Sequence, residues 1–152
     1  MDNFFMNKAL DQAYEAYKLD EVPIGAVIVK DGKIIGEGYN RKELAHDTTN
    51  HAEIIAIKNA SKNLKNWRLT DCTMYVTVEP CPMCAGAIVN SRISELVIGS
   101  LDPKGGACGS LYNIVEDERL NHRVEVRRGI MGQECSDIMK DFFKKLRKGE
   151  KL

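Results

Sequence analysis

Two cysteines with metal-ligand spacing follow an apolar run in the middle of the chain. Residues 78–84 read VEPCPMC and place Cys81 and Cys84 three positions apart, directly after MYVTV. At the beginning of a helix, such a pair lies near one face and near the positive end of the helix dipole, which favours thiolate. Pro82 suits the first turn of that helix, where no N–H is needed. Taken alone, the pair is compatible with half of a zinc site, a thioredoxin-like dithiol or plain packing.

A thiolate pair that holds a metal needs further ligands, and the chain has three histidines. His51 begins the stretch HAEIIAI, at the start of a second predicted helix. Helix N-termini gather at the carboxyl ends of the strands in an α/β sheet, so two helix starts can meet there. His46 in a polar loop and His122 just before a predicted strand are better interpreted as solvated histidines. We therefore predict that His51, Cys81 and Cys84 are the metal ligands.

Glu53 bears on whether such a metal is structural or catalytic. A structural zinc site closes with four protein ligands, whereas a catalytic site keeps three and leaves a position for water. Residues i and i+2 of a regular helix diverge by about 200°. At a helix start, however, the side chains of His51 and Glu53 can both reach one cavity, where Glu53 would transfer protons. The alternative is a solvated first-turn glutamate stabilised by the helix dipole.

The elements that would position these residues follow from hydrophobic periodicity. A helix is predicted at the beginning of the chain, with Asp2 or Asn3 as its N-cap. The runs IGAVIVK and KIIGEGYN surround Asp31-Gly32, which predicts a β-hairpin because both residues tolerate the positive φ of a tight turn.

The second half of the chain alternates between strand and helix patterns. A helix over residues 51–62 is predicted to bury Ile54, Ile55 and Ala56. TMYVTV, ELVIGS and RVEVRRGI are predicted strands, CPMCAGAIVNS a helix and QECSDIMKDFFKKLRKG a closing amphipathic helix. This order predicts an α/β sandwich whose later strands run parallel, because right-handed helical crossovers join them.

Length and charge limit the possible functions. The chain has 152 residues, with 22 Lys or Arg and 22 Asp or Glu, so its formal net charge is zero. We expect one domain over residues 1–152, and any nucleic-acid surface must be a local patch. No apolar run approaches the roughly 20 residues that span a bilayer, and the N-terminus lacks the features of a signal peptide, so we expect the cytoplasm. Five cysteines in a chain of this size favour metal binding or free thiols over a disulfide framework.

The combination of HAE with PCPMC is similar to the signature of the zinc-dependent cytidine/deoxycytidylate deaminase superfamily. Within it, the stretches VPIGAVIV, GEGYNR, GSLDPKGGACGSL and NHRVEV resemble the bacterial tRNA-specific adenosine deaminases. The resemblance implies a three-layer α/β/α sandwich of the cytidine deaminase type, with a mixed central sheet of about five strands. It also implies one Zn²⁺ per subunit, a homodimer, and hydrolytic deamination of adenosine to inosine at the wobble position of a tRNA anticodon, that of tRNA-Arg.

The same resemblance supplies further site residues. Zinc would activate a water to attack C6 of adenine, with Glu53 handling the protons. Asn40 would hydrogen-bond the flipped base; the alternative is a turn residue that ends the hairpin strand. The residues predicted to bind the substrate, an anticodon stem-loop, are Asn40, Asp102, Lys104, Phe143, Lys144 and Arg147. Cys72, Cys108 and Cys135 match no ligand position and are interpreted as small packing residues.

The basic end of the chain is the second candidate for RNA contacts. Residues 140–151 hold six Lys or Arg against Asp141 and Glu150, with Phe142 and Phe143 among them. Basic groups offset phosphate charge, and aromatic rings stack on unpaired bases. The alternative is an amphipathic helix with a solvated basic face, and for Phe142 we favour a place in the core.

Two other functions remain open from the sequence. A small-molecule deaminase, such as a guanine deaminase, would share every zinc residue but would not need the loop DPKGGACGSLYN or the basic end of the last helix. A non-catalytic zinc-stabilised module that binds nucleic acid would need a fourth protein ligand, and no Cys or His has a spacing that suggests one.

Overall fold

The structure is a computed structural model that describes residues 1–149; Glu150 and Lys151 of the predicted basic tail, and Leu152, lie outside the described residues. The helices and strands are α1 Asp2–Lys18, β1 Gly25–Lys30, β2 Lys33–Tyr39, α2 Lys42–Ala45, α3 Ala52–Leu64, β3 Thr73–Val78, α4 Pro82–Asn90, β4 Glu95–Ser100, β5 Glu125–Arg128 and α5 Gly132–Arg147. Within residues 1–149, no helix is both long enough and apolar enough to cross a membrane.

The five strands form one mixed sheet in the order β2-β1-β3-β4-β5. β1 pairs antiparallel with both β2 and β3, whereas β3, β4 and β5 are parallel. The helix α4 connects the parallel neighbours β3 and β4, as a crossover must. The predicted mixed sheet of about five strands, with parallel later strands, is therefore confirmed.

The predicted hairpin is also confirmed, and its turn has the expected backbone. Asp31 and Gly32 have φ values of 51° and 74°. Two successive positive φ values are typical of the primed turns whose twist matches that of paired strands.

Helices cover both faces of the sheet, because alternate side chains of its inner strands point in opposite directions. On one face, α3 and α4 pack over the strand residues Ala26, Ile28, Met74, Val76, Leu96 and Ile98. On the other face, α1 and α5 pack over Val27, Val29, Tyr75 and Val97. The three-layer α/β/α sandwich is thus as predicted.

The helix α3 approaches the sheet unusually closely, because two residues of β2 are glycine. A Cβ atom at Gly38 would lie 2.5 Å from the carbonyl oxygen of Ala52, and one at Gly36 would lie 2.6 Å from that of Ala56. Only small side chains fit at this contact, so α3 buries Ala52, Ala56 and Ala60. The prediction that Ile54 and Ile55 are buried is wrong, since both are only half-buried.

Two further predictions need correction. The residue that precedes α1 is Met1, and Asp2 does not cap the helix because its carboxylate accepts hydrogen bonds from Tyr75 and Arg127. His122 is not a solvated histidine: it is half-buried, and its Nε2 lies 2.7 Å from the carbonyl oxygen of Ile93. His46 is exposed, as predicted.

Candidate active site

The side chains of His51, Cys81 and Cys84 meet where two helices begin at the carboxyl end of β3. His51 is the N-cap of α3 and Cys81 is the N-cap of α4, and both have extended backbones. His51 Nδ1 lies 3.7 Å from Cys81 Sγ and 3.5 Å from Cys84 Sγ. The three candidate ligand atoms all lie within 4.8 Å of one another. This group could hold a metal ion.

The spacing of these atoms fits a tetrahedral zinc site. Zinc bonds of about 2.3 Å to sulfur and about 2.05 Å to nitrogen place two tetrahedral ligands about 3.6 Å apart. The two measured nitrogen–sulfur distances, 3.7 and 3.5 Å, fall on either side of that value. Two thiolates and an imidazole are also a donor set that zinc prefers.

The local electrostatics favour negative charge on the Cys81 sulfur. A hydrogen bond from the Cys84 thiol, together with the interaction with His51, lowers the pKa of Cys81 to about 4. The bond to Cys81, together with burial, raises the pKa of Cys84. The hydrogen bond with Cys81 likewise raises the pKa of His51. A metal cation bound by the three side chains would replace the protons that form these hydrogen bonds.

Glu53 lies in the first turn of α3 with a side chain that is only 4% exposed. It lines the same pocket as His51 and Cys81, as the sequence predicts for residues at a helix start. Burial raises the pKa of Glu53 to about 7, so the carboxyl group can both accept and release a proton near neutral pH. The alternative of a solvated first-turn glutamate is wrong.

The pocket that contains these residues is a cleft of about 740 Å³. Volumes of about 300–1,000 Å³ accommodate drug-sized molecules of several rings, so the cleft is larger than a single planar base requires. Its apolar lining residues are Val22, Ile24, Val78, Leu101, Pro103, Met139 and Phe143.

Asn40 has two roles in the structure. Its Oδ1 accepts a hydrogen bond from the Ala52 N–H at 2.9 Å, which satisfies a backbone donor at the beginning of α3. The residue is buried and lines the pocket. Because Oδ1 is engaged, the amide NH₂ is the polar group of Asn40 that remains to meet a ligand. The two sequence interpretations, turn residue and base contact, are therefore compatible.

The other predicted substrate-binding residues do not all lie together. Asp102, Lys104, Phe143 and Arg147 line the pocket, and Lys140 joins them. Lys144 is exposed on α5 and is not among the lining residues. Phe142 is buried against Tyr17 of α1, as predicted. The basic end of α5 is thus divided between a pocket face and a face turned away from it.

Sequence reasoning missed one buried charge in the site. Glu79 lies between β3 and Cys81, is 3% exposed and lines the pocket. Burial alone would raise the pKa of Glu79, but hydrogen bonds from Ser110, Asp102 and Cys108 hold it below the ordinary value. The sequence did carry a signal for this residue, because a glutamate directly follows an apolar strand. A carboxylate buried at such a position needs several hydrogen-bond donors around it.

The remaining cysteines lie in the core. Cys72, Cys108 and Cys135 are buried free thiols, and burial raises the pKa of each. None belongs to the His–Cys–Cys group found within residues 1–149.

Comparison with known proteins places this geometry in a class. The MafB19-like deaminase family matches residues 1–147. The fold, the His–Cys–Cys group and this match together define a deaminase.

Individual relatives narrow the class. A Bacillus subtilis (strain 168) protein named tRNA-specific adenosine deaminase is 46% identical over 150 residues, which are 99% of this chain and 93% of that relative. A solved structure from a study of A-to-I editing by tRNA:A34 deaminases is 43% identical, with a TM-score of 0.85 over 89% of this chain and 98% of that one. A guanine deaminase structure from Bacillus subtilis is 42% identical, but with a TM-score of 0.62 over 64% of this chain and 63% of that one. The chain belongs to the family of tRNA-specific adenosine deaminases.

Proposed function

We propose that this protein hydrolyses the wobble adenosine of a tRNA anticodon to inosine, with release of ammonia. The observation that carries the proposal is the group formed by His51, Cys81 and Cys84, of which His51 and Cys81 line one cleft together with the buried carboxyl of Glu53. Three ligands and a separate carboxylate are the arrangement of a catalytic rather than a structural metal site.

His51, Cys81 and Cys84 would hold one Zn²⁺ per subunit through Nδ1 and the two Sγ atoms. When bound, zinc supplies the Lewis acidity that activates water near neutral pH. The two cysteines contribute thiolates and His51 contributes a neutral imidazole, so the protein ligands balance the charge of the ion.

Glu53 moves the protons of the reaction. Its carboxylate takes a proton from the attacking water and delivers it to N1 of adenine as the bond to C6 forms. It then transfers the second proton of that water to the departing amino group, which leaves C6 as ammonia. Because Glu53 binds no metal, its oxygens stay available for both transfers.

Asn40 orients the base. Its Oδ1 accepts a hydrogen bond from the Ala52 N–H, which fixes the direction of its NH₂ group beside His51. A donor at that position suits a ring nitrogen of the flipped adenine. The apolar side chains of Val22, Ile24 and Val78 line the pocket and exclude water from the reacting ring.

Charge and space around the cleft favour RNA over a free base. Lys104, Lys140 and Arg147 line it together with Phe143, so cations that offset phosphate charge lie beside an aromatic ring that can stack on a neighbouring base. A deaminase that acts on a free base such as guanine does not need cations that offset phosphate charge.

Inosine formation tests the proposal directly. The zinc-loaded protein should form inosine from an anticodon stem-loop of tRNA-Arg that carries a wobble adenosine, and should leave free adenosine and guanine unchanged. Ammonia release from guanine alone would replace the proposal with the small-molecule alternative. Zinc binding without ammonia release from any of the three would indicate the non-catalytic module.

Three finer expectations belong to the same proposal. We expect tRNA-Arg to be edited in preference to other tRNAs, the subunit to form a homodimer, and the reaction to take place in the cytoplasm. Sequencing of inosine in total tRNA treated with the protein tests the first, and sedimentation equilibrium tests the second.

A further inference from the structure

The buried carboxylate of Glu79 is surrounded by hydrogen-bond donors from a single loop. We call residues 101–110, which follow β4, the rim loop, because Leu101, Asp102, Pro103 and Lys104 line the cleft. Glu79 Oε1 accepts from the Asp102 N–H at 3.0 Å and from the Ser110 hydroxyl. Glu79 Oε2 accepts from the N–H groups of Cys108 and Ser110, each at 3.0 Å. Two donors therefore meet each oxygen, which is the full capacity of an ionised carboxylate.

The contacts around this carboxylate leave no spare room. A Cβ atom at Gly106 would lie 2.3 Å from Glu79 Cδ and Oε2, so the rim loop passes directly over the carboxylate. The Ala107 N–H also donates to the Pro80 carbonyl at 2.8 Å, and the Arg128 guanidinium donates to the Cys108 carbonyl. The first bond ties the rim loop to the segment that leads into α4, and the second ties it to β5.

The position of Glu79 in the chain gives these bonds a functional meaning. Only Pro80 separates it from Cys81, the N-cap of α4 and a proposed metal ligand. One side chain therefore joins the segment that carries a proposed metal ligand to a loop that lines the same cleft.

We propose that Glu79 is a positioning residue for the substrate: it fixes the rim loop at a set distance from the metal centre, so that Asp102, Pro103 and Lys104 meet the RNA beside the reacting base. The proposal rests on the proposed function, because it assigns the rim loop to the RNA. Glu79 itself does not touch the reacting atoms and is not expected to carry a proton in the reaction.

The arrangement of donors around Glu79 predicts which hydrogen bonds the Glu79→Gln variant would lose. With its NH₂ at the Oε2 position, Glu79→Gln would point a donor at two N–H groups. With its NH₂ at the Oε1 position, the Ser110 hydroxyl can rotate to accept, and only the Asp102 N–H loses its acceptor. The second orientation costs less, so the variant should release the Asp102 end of the rim loop, which lines the cleft.

The test combines hydrogen exchange with kinetics on the zinc-loaded protein. In Glu79→Gln, exchange of the rim-loop amides should quicken about tenfold or more while the amides of β3 and β4 keep their protection. KM for the stem-loop should rise about tenfold and kcat should change less than about threefold, because lost positioning of remote contacts weakens binding more than chemistry. Zinc content should stay at one per subunit.

Two further variants keep the test decisive. Ser110→Ala removes one of the four donors, and we expect a smaller change in the same direction, of about twofold to threefold in KM. Asp2→Asn removes a carboxylate that binds Tyr75 and Arg127, away from the cleft, so it should lower stability without altering rim-loop exchange or KM. If Glu79→Gln does not fold, Ser110→Ala decides alone.

The outcomes separate this inference from the proposed function. Unchanged rim-loop exchange in folded Glu79→Gln, or unchanged exchange and KM in Ser110→Ala, overturns the positioning role even if the wild type forms inosine. A fall in kcat with KM unchanged also overturns it, in favour of a role in the chemistry. A wild type that forms no inosine overturns the proposed function, whereas the exchange data still show whether Glu79 holds the rim loop.

Discussion

The side chains of His51 and Glu53 face one cleft because His51 is not yet part of the helix that carries Glu53. His51 has φ −81° and ψ 154°, an extended conformation, and α3 begins at Ala52. Regular helical geometry would turn two side chains separated by one residue to opposite sides. The N-cap position therefore allows the proposed metal ligand and the proposed proton-transferring carboxyl to come from residues only two positions apart in one segment.

The first prediction concerns Glu53. Glu53→Gln keeps the shape of the side chain but cannot accept and release a proton, so kcat should fall by about 10²-fold to 10⁴-fold or more. Because Glu53 is not a proposed ligand, zinc measured by mass spectrometry should remain at one per subunit. Asn40→Ala is the comparison variant, and its defect should appear chiefly in KM. Loss of zinc in Glu53→Gln would show that the carboxylate is a ligand instead.

The second prediction concerns which of the five cysteines bind zinc. Cys81→Ser and Cys84→Ser should each lose zinc, since a hydroxyl is a poor replacement for a thiolate ligand. Cys72→Ser, Cys108→Ser and Cys135→Ser should keep it, although each places a polar group in the core and should lower stability by about 1–3 kcal/mol. Metal analysis of the five variants checks this. Complete zinc loss in Cys108→Ser would point to a fourth ligand and a structural site.

At the scale of the elements, α5 presents two different faces. Lys140, Phe143 and Arg147 recur at steps of three and four residues and line the cleft. On another side of the helix, Lys145 lies over the Tyr17 ring and forms a salt bridge with Asp141 at 3.5 Å. The basic residues of this helix are therefore not equivalent, although the sequence alone groups them as one charged run.

The third prediction tests this division. Replacing Lys140 and Arg147 by Gln should raise KM for the stem-loop with little change in kcat, because the cations bind phosphate before and during the reaction alike. The slope of log K against log salt should become shallower by about 1.5, since each lost phosphate contact removes roughly 0.7 to 0.9. Lys145→Gln is the matched control and should change neither quantity. Equal effects in both variants would mean that charge alone, and not the cleft face, attracts the RNA.

The elements also show where sequence reasoning stops. The hairpin and the long helices follow from turn chemistry and apolar spacing, and they are found where predicted. The short helix α2 and the rim loop have no hydrophobic period, because buried carboxylates hold them: Glu21 accepts from the N–H groups of Glu43 and Leu44, and Glu79 holds the rim loop. Hydrogen bonds between a side chain and a backbone that is distant in sequence produce no periodic pattern, so the sequence does not predict them.

The candidate site, too, could be predicted only in part from the sequence. Ligand types and spacing were enough to predict that His51, Cys81, Cys84 and Glu53 lie together, because the proposed chemistry demands those side chains. Which residues of the basic tail face the cleft, and which strand glycines admit α3, depends on helix rotation and on the distance between layers. Neither quantity is determined by residues within one element.

At the scale of the whole molecule, Asp2 fastens the first helix to the far strands of the sheet. Its carboxylate accepts from Tyr75 on β3 and from Arg127 on β5, and Arg127 also binds Glu95 on β4. Residues that are far apart in the sequence thus meet at one guanidinium. Hydrogen bonds from Arg127 hold the pKa of Asp2 below its usual value of 3.8.

The fourth prediction follows from that pKa. Because the folded pKa of Asp2 is depressed, its stabilising contribution is present above the unfolded pKa and is lost as pH falls through the folded pKa. Asp2→Asn should therefore lower the free energy of unfolding by about 1 kcal/mol at pH 7, and the difference should shrink below a pH of about 4. Urea unfolding of the wild type and Asp2→Asn at pH 7 and at a pH below about 4 measures this difference. Glu15→Gln is the control: it removes an exposed salt bridge with Lys18 and should leave the free energy of unfolding almost unchanged. If the loss of stability in Asp2→Asn were the same at both pH values, the ionic explanation would be wrong.

The way in which Glu79 holds the rim loop also bears on how this enzyme can change over generations. Three of its four donors are main-chain N–H groups, which every residue except proline supplies. Side chains at positions such as Pro103 and Lys104 can therefore be exchanged while the loop keeps its course. The rim loop can therefore acquire a preference for a different tRNA by substitutions at its surface, while the proposed metal ligands stay in place.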